Sequence, residues 1–314
     1  MVATGYGGPK VLSLVEEPVR QPRRGEVTIQ VKAAGVNPID YKIYSGAMGN
    51  DPASLPLQVG SELAGVVTAT GPKAIGPARA LQVGDEVIAY RRDVPGAYAT
   101  EVTWPAEVVV PKPANLGWEQ ASGLLLTGAT ALHTLAATGV RCGDVLLIHG
   151  VSGGVGLLAA QLAIIRGAHV IGTASQTRHE SLRRFGITPI AYGPGLIDRV
   201  RRLVLVGIDA AIDTIGTDEA IEVSLALVAD PARIATIAAF QQPVNTGIQK
   251  LGNVPGATDR GTEIRARAWS ELIPLAAAGK LEVLVAKTFP LAETAAAHEF
   301  VASGHAGGKV VLLP

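Results

Sequence analysis

The chain has 314 residues, 48% of them hydrophobic, with 27 basic side chains against 27 acidic ones. That balance excludes a disordered chain, and zero formal charge argues against a general nucleic-acid binder, which needs an excess of Lys and Arg. One cysteine, Cys142, excludes an internal disulfide and any cysteine-cluster zinc site, and suits a reducing, cytosolic compartment.

The length allows about two domains. Residues 1–13 carry neither the basic start nor the apolar core of a secretory leader. Residues 26–33 (EVTIQVKA) alternate polar and apolar side chains, as a half-buried strand does. Further short strands are expected at 64–70, 86–90, 97–103 and 108–111, with Gly and Pro between them. Many short strands with frequent turn signals imply a small barrel or sandwich.

Near Pro111 and Pro113 the pattern changes. Residues 118–138 read as one helix. Strands are then expected at 145–149, 169–173, 187–191, 209–214 and 233–238, alternating with helices at 155–166, 177–185, 198–206 and 218–227. Alternation of this kind implies βαβ units and a parallel sheet. Residues 241–261 are rich in Gly, Pro and Asn and read as a long loop; 263–278 reads as a helix and 309–313 as a closing strand. The uncharged stretches 121–140 and 145–165 are long enough to span a bilayer, which takes about 20 residues. Polar residues interrupt the first and glycines the second, so both are expected as buried elements of a soluble protein.

The strongest chemical signal is Val145-Leu-Leu-Ile-His-Gly-Val-Ser-Gly-Gly-Val-Gly156. A buried strand feeds a glycine turn that opens a helix, which lets backbone N–H groups approach a pyrophosphate. The spacing is Gly150-x-x-Gly153-x-x-Gly156 with Gly154 added, rather than G-x-G-x-x-G, because Val151 stands where a glycine would be. Recognition of the 2′-OH of NAD needs Asp or Glu about 20 residues after the loop. Here Gly172-Thr-Ala-Ser-Gln-Thr-Arg178 offers no acid before Glu180. Ser175 and Arg178 suit a 2′-phosphate instead, so NADPH is expected over NADH.

Taken together, these motifs resemble the zinc-independent quinone oxidoreductase branch of the medium-chain dehydrogenase/reductase superfamily. The matching segments are Gly25-Glu-Val-x-Ile-x-Val31, Ala33-Ala-Gly-Val-Asn-Pro-Ile-Asp40, Gly84-Asp-Glu-Val87, Thr127-Gly-Ala-Thr-Ala131, His149-Gly-Val-Ser-Gly-Gly-Val-Gly156 and Gly308-Lys-Val-Val-Leu312. The resemblance implies an α/β protein: a GroES-like β-rich catalytic domain (residues 1–112 and 262–314) around a Rossmann doubly wound parallel sheet (113–261). It places the pyrophosphate on Ser152, Gly153, Gly154 and Val155, and the adenosine 2′-phosphate among Ser175, Arg178 and Tyr192. Thr127, Ile215 and Phe240 would line the nicotinamide. It further implies a homodimer with no membrane or nucleic-acid partner. Zinc-dependent relatives place a cysteine ligand where this chain has Asn37 and a histidine where it has Ser61, so no metal is expected.

Without a metal, hydrogen-bond donors must polarise a substrate carbonyl. Asn37, Tyr41, Lys42 and Tyr44 are the candidates, each with a structural alternative: Asn37-Pro38 shapes a turn, and Asp40 caps a helix. His133 and His149 read as core histidines; Lys309 reads equally as a cofactor neighbour or a surface strand lysine. The expected activity is NADPH-dependent reduction of a quinone or an α,β-unsaturated carbonyl. The alternative is a protein that holds NADPH as a sensor or structural ligand with little turnover.

Overall fold

The structure is a computed structural model that describes residues 1–90, 96–241, 246–252 and 255–314. Two short strands, β1 (Val2–Ala3) and β2 (Leu12–Ser13), precede β3 (Glu26–Val36). β3 outruns the expected 26–33 because its second half is flanked on both sides by partner strands and is almost wholly buried. The chain then enters α1 (Pro38–Tyr44), with Asn37 at the N-cap and Pro38 preset for the first turn. Asp40 acts from inside the helix, its carboxylate accepting the Asn37 backbone N–H at 2.9 Å.

β4 (Leu57–Gln58), β5 (Glu62–Thr70), β6 (Glu86–Tyr90), β7 (Glu101–Pro105) and β8 (Val109–Pro111) follow. The strand expected at 97–103 starts only at Glu101. The preceding amides of Gly96, Ala97 and Tyr98 turn instead onto Gly60 O and Val59 O, burying the Tyr98 ring against Gly60.

The single helix expected at 118–138 is two, α2 (Trp118–Ser122) and α3 (Leu125–Thr138). The break has two causes. A Cβ at Gly123 would stand 2.9 Å from Lys309 Cε, and the Glu62 carboxylate accepts the Leu126 N–H that opens α3.

Beyond it come β9 (Val145–His149), α4 (Gly154–Ile165), β10 (His169–Thr173), α5 (His179–Arg183), β11 (Thr188–Ile190), α6 (Leu196–Leu203) and β12 (Ala210–Asp213). α7 (Asp218–Leu227), β13 (Ile234–Thr236) and β14 (Gln249–Lys250) complete the alternation. The helix expected at 263–278 is α8 (Thr262–Arg267) and α9 (Trp269–Ala277). β15 (Val285–Pro290), α10 (Thr294–Ala302) and β16 (Lys309–Leu313) end the chain. Neither β15 nor α10 announces itself in the sequence pattern.

The chain divides into two compact units, one of Met1–Leu126 with Glu271–Pro314, the other of Thr127–Ser270. These changeovers fall later than the 112 and 262 read from the sequence. The first unit holds a seven-stranded sheet in the order β15-β16-β3-β5-β6-β8, with β7 also on β3, and a small sheet β2-β1-β4. Both chain ends build the large sheet, since β16 pairs antiparallel with β3.

The second unit holds a six-stranded sheet β11-β10-β9-β12-β13-β14, parallel throughout. Counted along the chain, that is the 3-2-1-4-5-6 order of a doubly wound Rossmann sheet, with its ligand crevice at the carboxyl ends where the order reverses. All five residues of β9 are buried, as a central parallel strand requires. Among the described residues no helix is long and apolar enough to cross a membrane.

Candidate cofactor site and buried polar network

In the second unit, β9 ends at His149 and the chain turns through Gly150 at φ +74°, a conformation that favours glycine. Gly153 is the N-cap of α4, so the amides of Gly154, Val155 and Gly156 lack intrahelical acceptors and carry the positive end of the helix dipole. Sterics explain the other glycines. A Cβ at Gly156 would lie 2.5 Å from Gly150 O, and one at Gly150 would lie 2.7 Å from Thr214 Oγ1. Ser152, Gly153, Gly154 and Val155 are partly exposed around this turn.

Ser175 and Arg178 lie just past β10, on a short 3-10 turn that leads into α5. Ser175 Oγ is 3.0 Å from Thr177 Oγ1, and Arg178 N donates to Ser175 O. Both residues are partly exposed, and Tyr192 is 56% exposed beyond β11. Thr127 is buried in the first turn of α3, Ile215 follows β12 at 48% exposure, and Phe240 lies past β13.

A row of buried side chains braces these loops; sequence reasoning reached only His149 among them, as a core histidine. Thr173, His149, Asp213, Thr236 and Lys250 stand in register across the carboxyl ends of five parallel strands. Asp213 accepts the amides of Ile215 and Gly216 on one oxygen and the Thr236 hydroxyl on the other. The Lys250 ammonium donates to Phe240 O. His149 Nε2 has no partner, and burial holds its pKa down at about 4 against the pull of Asp213 and Glu219. His133 is a fully buried histidine, as expected, with Nε2 2.7 Å from Asp259 Oδ2.

In the first unit the catalytic candidates part company. Asn37 is 2% exposed and its amide is committed: Nδ2 donates to Glu62 Oε1 at 2.9 Å and to Gly35 O at 3.3 Å, and Oδ1 accepts from Lys309. It has no remaining N–H with which to polarise a substrate. Tyr44, 1% exposed, donates its hydroxyl to the interior. Tyr41 and Lys42, one turn along α1, are partly exposed; burial pushes the phenol of Tyr41 up and the ammonium of Lys42 down.

Behind α1 runs a directed chain of hydrogen bonds. The Tyr98 hydroxyl donates to Asp40 Oδ2 at 2.8 Å, so its oxygen accepts from His298 Nε2–H at 3.4 Å. His298 Nδ1 then accepts the Tyr44 proton at 2.7 Å, which fixes the tautomer. Burial keeps His298 neutral, with a pKa of about 4. Asp40, fully enclosed, is pushed up to about 6 by burial, despite hydrogen bonds from Ser61, Tyr98 and the Asn37 N–H and the charge of Lys309.

Lys309 is neither a surface residue nor a loose one. It is 4% exposed and donates to Glu62 Oε1 at 2.7 Å, Asn37 Oδ1 at 2.7 Å and Val36 O at 3.1 Å.

These residues do not suit zinc. Beside Asn37 and Ser61 stand the carboxyls of Asp40 and Glu62, one held by three hydrogen-bond donors and the other bonded to the Lys309 ammonium. Zinc takes thiolate and imidazole by preference, and among the described residues no group of three or more His, Cys, Asp or Glu could hold a metal ion.

Comparison with known proteins agrees with this architecture. Residues 23–114 match the alcohol dehydrogenase GroES-like domain family, and residues 197–312 match the zinc-binding dehydrogenase family. The quinone oxidoreductase of Pseudomonas aeruginosa is 34% identical over 98% of this chain and 97% of its own. The structure of Escherichia coli quinone oxidoreductase complexed with NADPH superposes with a TM-score of 0.85 at 28% identity, covering 100% of this chain and 99% of that one. The CurK enoyl reductase superposes with a TM-score of 0.82 at 26% identity, over 99% and 98%. A GroES-like unit built from both chain ends, a Rossmann sheet and whole-length relatives all agree: the chain belongs to the quinone oxidoreductase branch of the medium-chain dehydrogenase/reductase superfamily.

Proposed function

We propose that the protein is an NADPH-dependent reductase of quinones or α,β-unsaturated carbonyls that works without a metal. The observation that carries this reading is the cradle at the carboxyl ends of β9 and β10. There, helix amides open at Gly154, Val155 and Gly156, and Arg178 follows with no carboxylate between Gly172 and Glu180. Two relatives support it: a quinone oxidoreductase solved with NADPH, and an enoyl reductase.

Bound NADPH supplies a hydride to the β-carbon of an enone or to a quinone ring. Ser152, Gly153, Gly154 and Val155 would hold the pyrophosphate, and Ser175, Arg178 and Tyr192 the 2′-phosphate. Thr127, Ile215 and Phe240 would flank the nicotinamide. Asp213 and Thr236 keep the Ile215 loop in place through three hydrogen bonds.

As negative charge builds on the substrate oxygen, a donor must meet it. Of the four candidates, Tyr41 and Lys42 are the ones with side chains still available. A lysine weakened by burial is the better proton source, and a phenol raised by burial holds its proton and donates a hydrogen bond. Homodimerisation belongs to the same reading, since β14 forms one edge of the Rossmann sheet.

The test is oxidation of NADPH and NADH across quinones, alkenals and enones, with product identification. NADPH should be preferred and the product reduced at the expected carbon. Equal use of NADH removes the Arg178 argument, and a stoichiometric bound metal removes the metal-free mechanism. Tight NADPH binding without turnover favours a sensor.

A further inference from the structure

A buried lysine inside the β-rich unit needs a reason. Lys309 is the first residue of β16, and its ammonium spends all three N–H groups on Val36 O, Asn37 Oδ1 and Glu62 Oε1. Glu62 in turn reaches Leu126 N–H with its second oxygen and the Asn37 amide with its first. The pair is therefore a junction between the start of α1 and the start of α3. The backbone makes room for it at two glycines. A Cβ at Gly35 would meet Glu62 Oε1 at 2.5 Å, and one at Gly123 would meet Lys309 Cε at 2.9 Å.

Stability alone is a poor explanation for such an arrangement, because a buried ion pair is often no better than a well-packed apolar pair. What charge adds is direction: two oxygens and one ammonium fix where the neighbouring segments begin.

We propose that Lys309 is a positioning residue for the reduction. Through Asn37 it fixes the entry to α1, which carries Tyr41 and Lys42. Through Glu62 it fixes the entry to α3, which carries Thr127. This rests on the reductase reading for its effect on turnover, whereas the effect on local order stands apart from it.

A double variant tests the idea. Lys309→Met alone leaves Glu62 buried without its partner, so misfolding would confuse the result. The double variant Lys309→Met with Glu62→Gln removes both charges and keeps the volume. Its hydrogen exchange should accelerate about tenfold or more in residues 37–44 and 124–127, with the rest of the chain unchanged. NADPH affinity should stay within about twofold, while kcat falls about 10- to 100-fold, the scale of a small misplacement at a reacting site. Wild-type exchange in those two segments overturns the proposal, as does wild-type kcat in the folded double variant. If the wild-type protein reduces no acceptor at all, the reductase reading falls, and the exchange result still decides whether Lys309 positions α1 and α3.

Discussion

The Tyr44 hydroxyl lies 2.7 Å from His298 Nδ1, and the two rings stack at 5.5 Å between centroids, 7° from parallel. One partner comes from α1 and the other from α10, so the contact ties the two ends of the chain together. This engagement makes Tyr44 a structural residue. Tyr44→Phe should cost about 1–2 kcal/mol, the range for losing one buried hydrogen bond, with kcat within about threefold of wild type. Chemical denaturation and steady-state kinetics check the two halves separately. A kcat loss above about tenfold with unchanged stability would return Tyr44 to the reacting machinery.

Arg178 should decide cofactor choice. A charge-assisted contact to a 2′-phosphate contributes about 1.5–3 kcal/mol, so Arg178→Ala should lower kcat/KM for NADPH about 10- to 100-fold. NADH, which lacks that phosphate, should be used as before. The measurement is the ratio of the two specificity constants, and an unchanged ratio would remove Arg178 from the phosphate site.

Much of the Rossmann unit was legible because its signals are local. The buried run at 145–149, the glycine turn and the alternation of strands and helices each occupy a short window, and the observed elements start and stop within a few residues of them. The network in the β-rich unit was not legible, because its members lie far apart in the chain. Tyr98 and His298 are 200 positions apart, and Lys309 is 247 from Glu62. Asn37 looked like a substrate donor because nothing in its neighbourhood reveals that Glu62 and Lys309 take up its amide. A faint signal was present: Glu62 in Ser61-Glu-Leu-Ala-Gly65 and Lys309 in Gly308-Lys-Val-Val-Leu312 are lone charges of opposite sign beside apolar strand runs. The break between α2 and α3 was hidden for the same reason, since the side chains that meet it, Lys309 and Glu62, lie far from it in the chain. The stretch read as a long loop at 241–261 carries β14, and its residues 242–245 and 253–254 lie outside the described residues.

The glycines of the turn should separate stability from binding. A Cβ at Gly156 would press on Gly150 O at 2.5 Å and Val151 Cα at 2.9 Å, both backbone atoms that cannot swing aside. Gly156→Ala should therefore destabilise the protein by about 1–3 kcal/mol, the cost of overpacking. At Gly153 the nearest atom would be 3.4 Å away and φ is −75°, so Gly153→Ala should fold nearly as well as wild type. Its methyl would stand at the mouth of the helix, and NADPH affinity should drop about tenfold or more through steric exclusion. Thermal unfolding and NADPH titration of both variants give the comparison. Equal loss of stability in the two would show that the turn is not packed as described.

Acid should weaken the fold through two buried imidazoles, against the opposing effect of one buried carboxyl. His149 and His298 are held near 4 by burial, below the ordinary 6.5. Between those values the unfolded chain binds protons that the folded chain does not, so this stability is full above about pH 6.5 and lost as pH falls toward 4. Asp40, raised to about 6 from 3.8, works the other way: its contribution is present at low pH and lost as pH rises through 6. Two imidazoles outweigh one carboxyl, and the wild-type Tm should fall from pH 6.5 to 4.5. Surface pairs such as Glu26 with Arg20 stay out of this window, since Glu26 sits at about 2 when folded and at 4.5 ordinarily. Asp40→Asn removes the opposing contribution, so its Tm, lower at every pH, should fall more steeply over the same interval. His298→Gln should fall less steeply than wild type. Parallel Tm profiles for all three proteins would show that neither Asp40 nor His298 has a displaced titration in the folded chain.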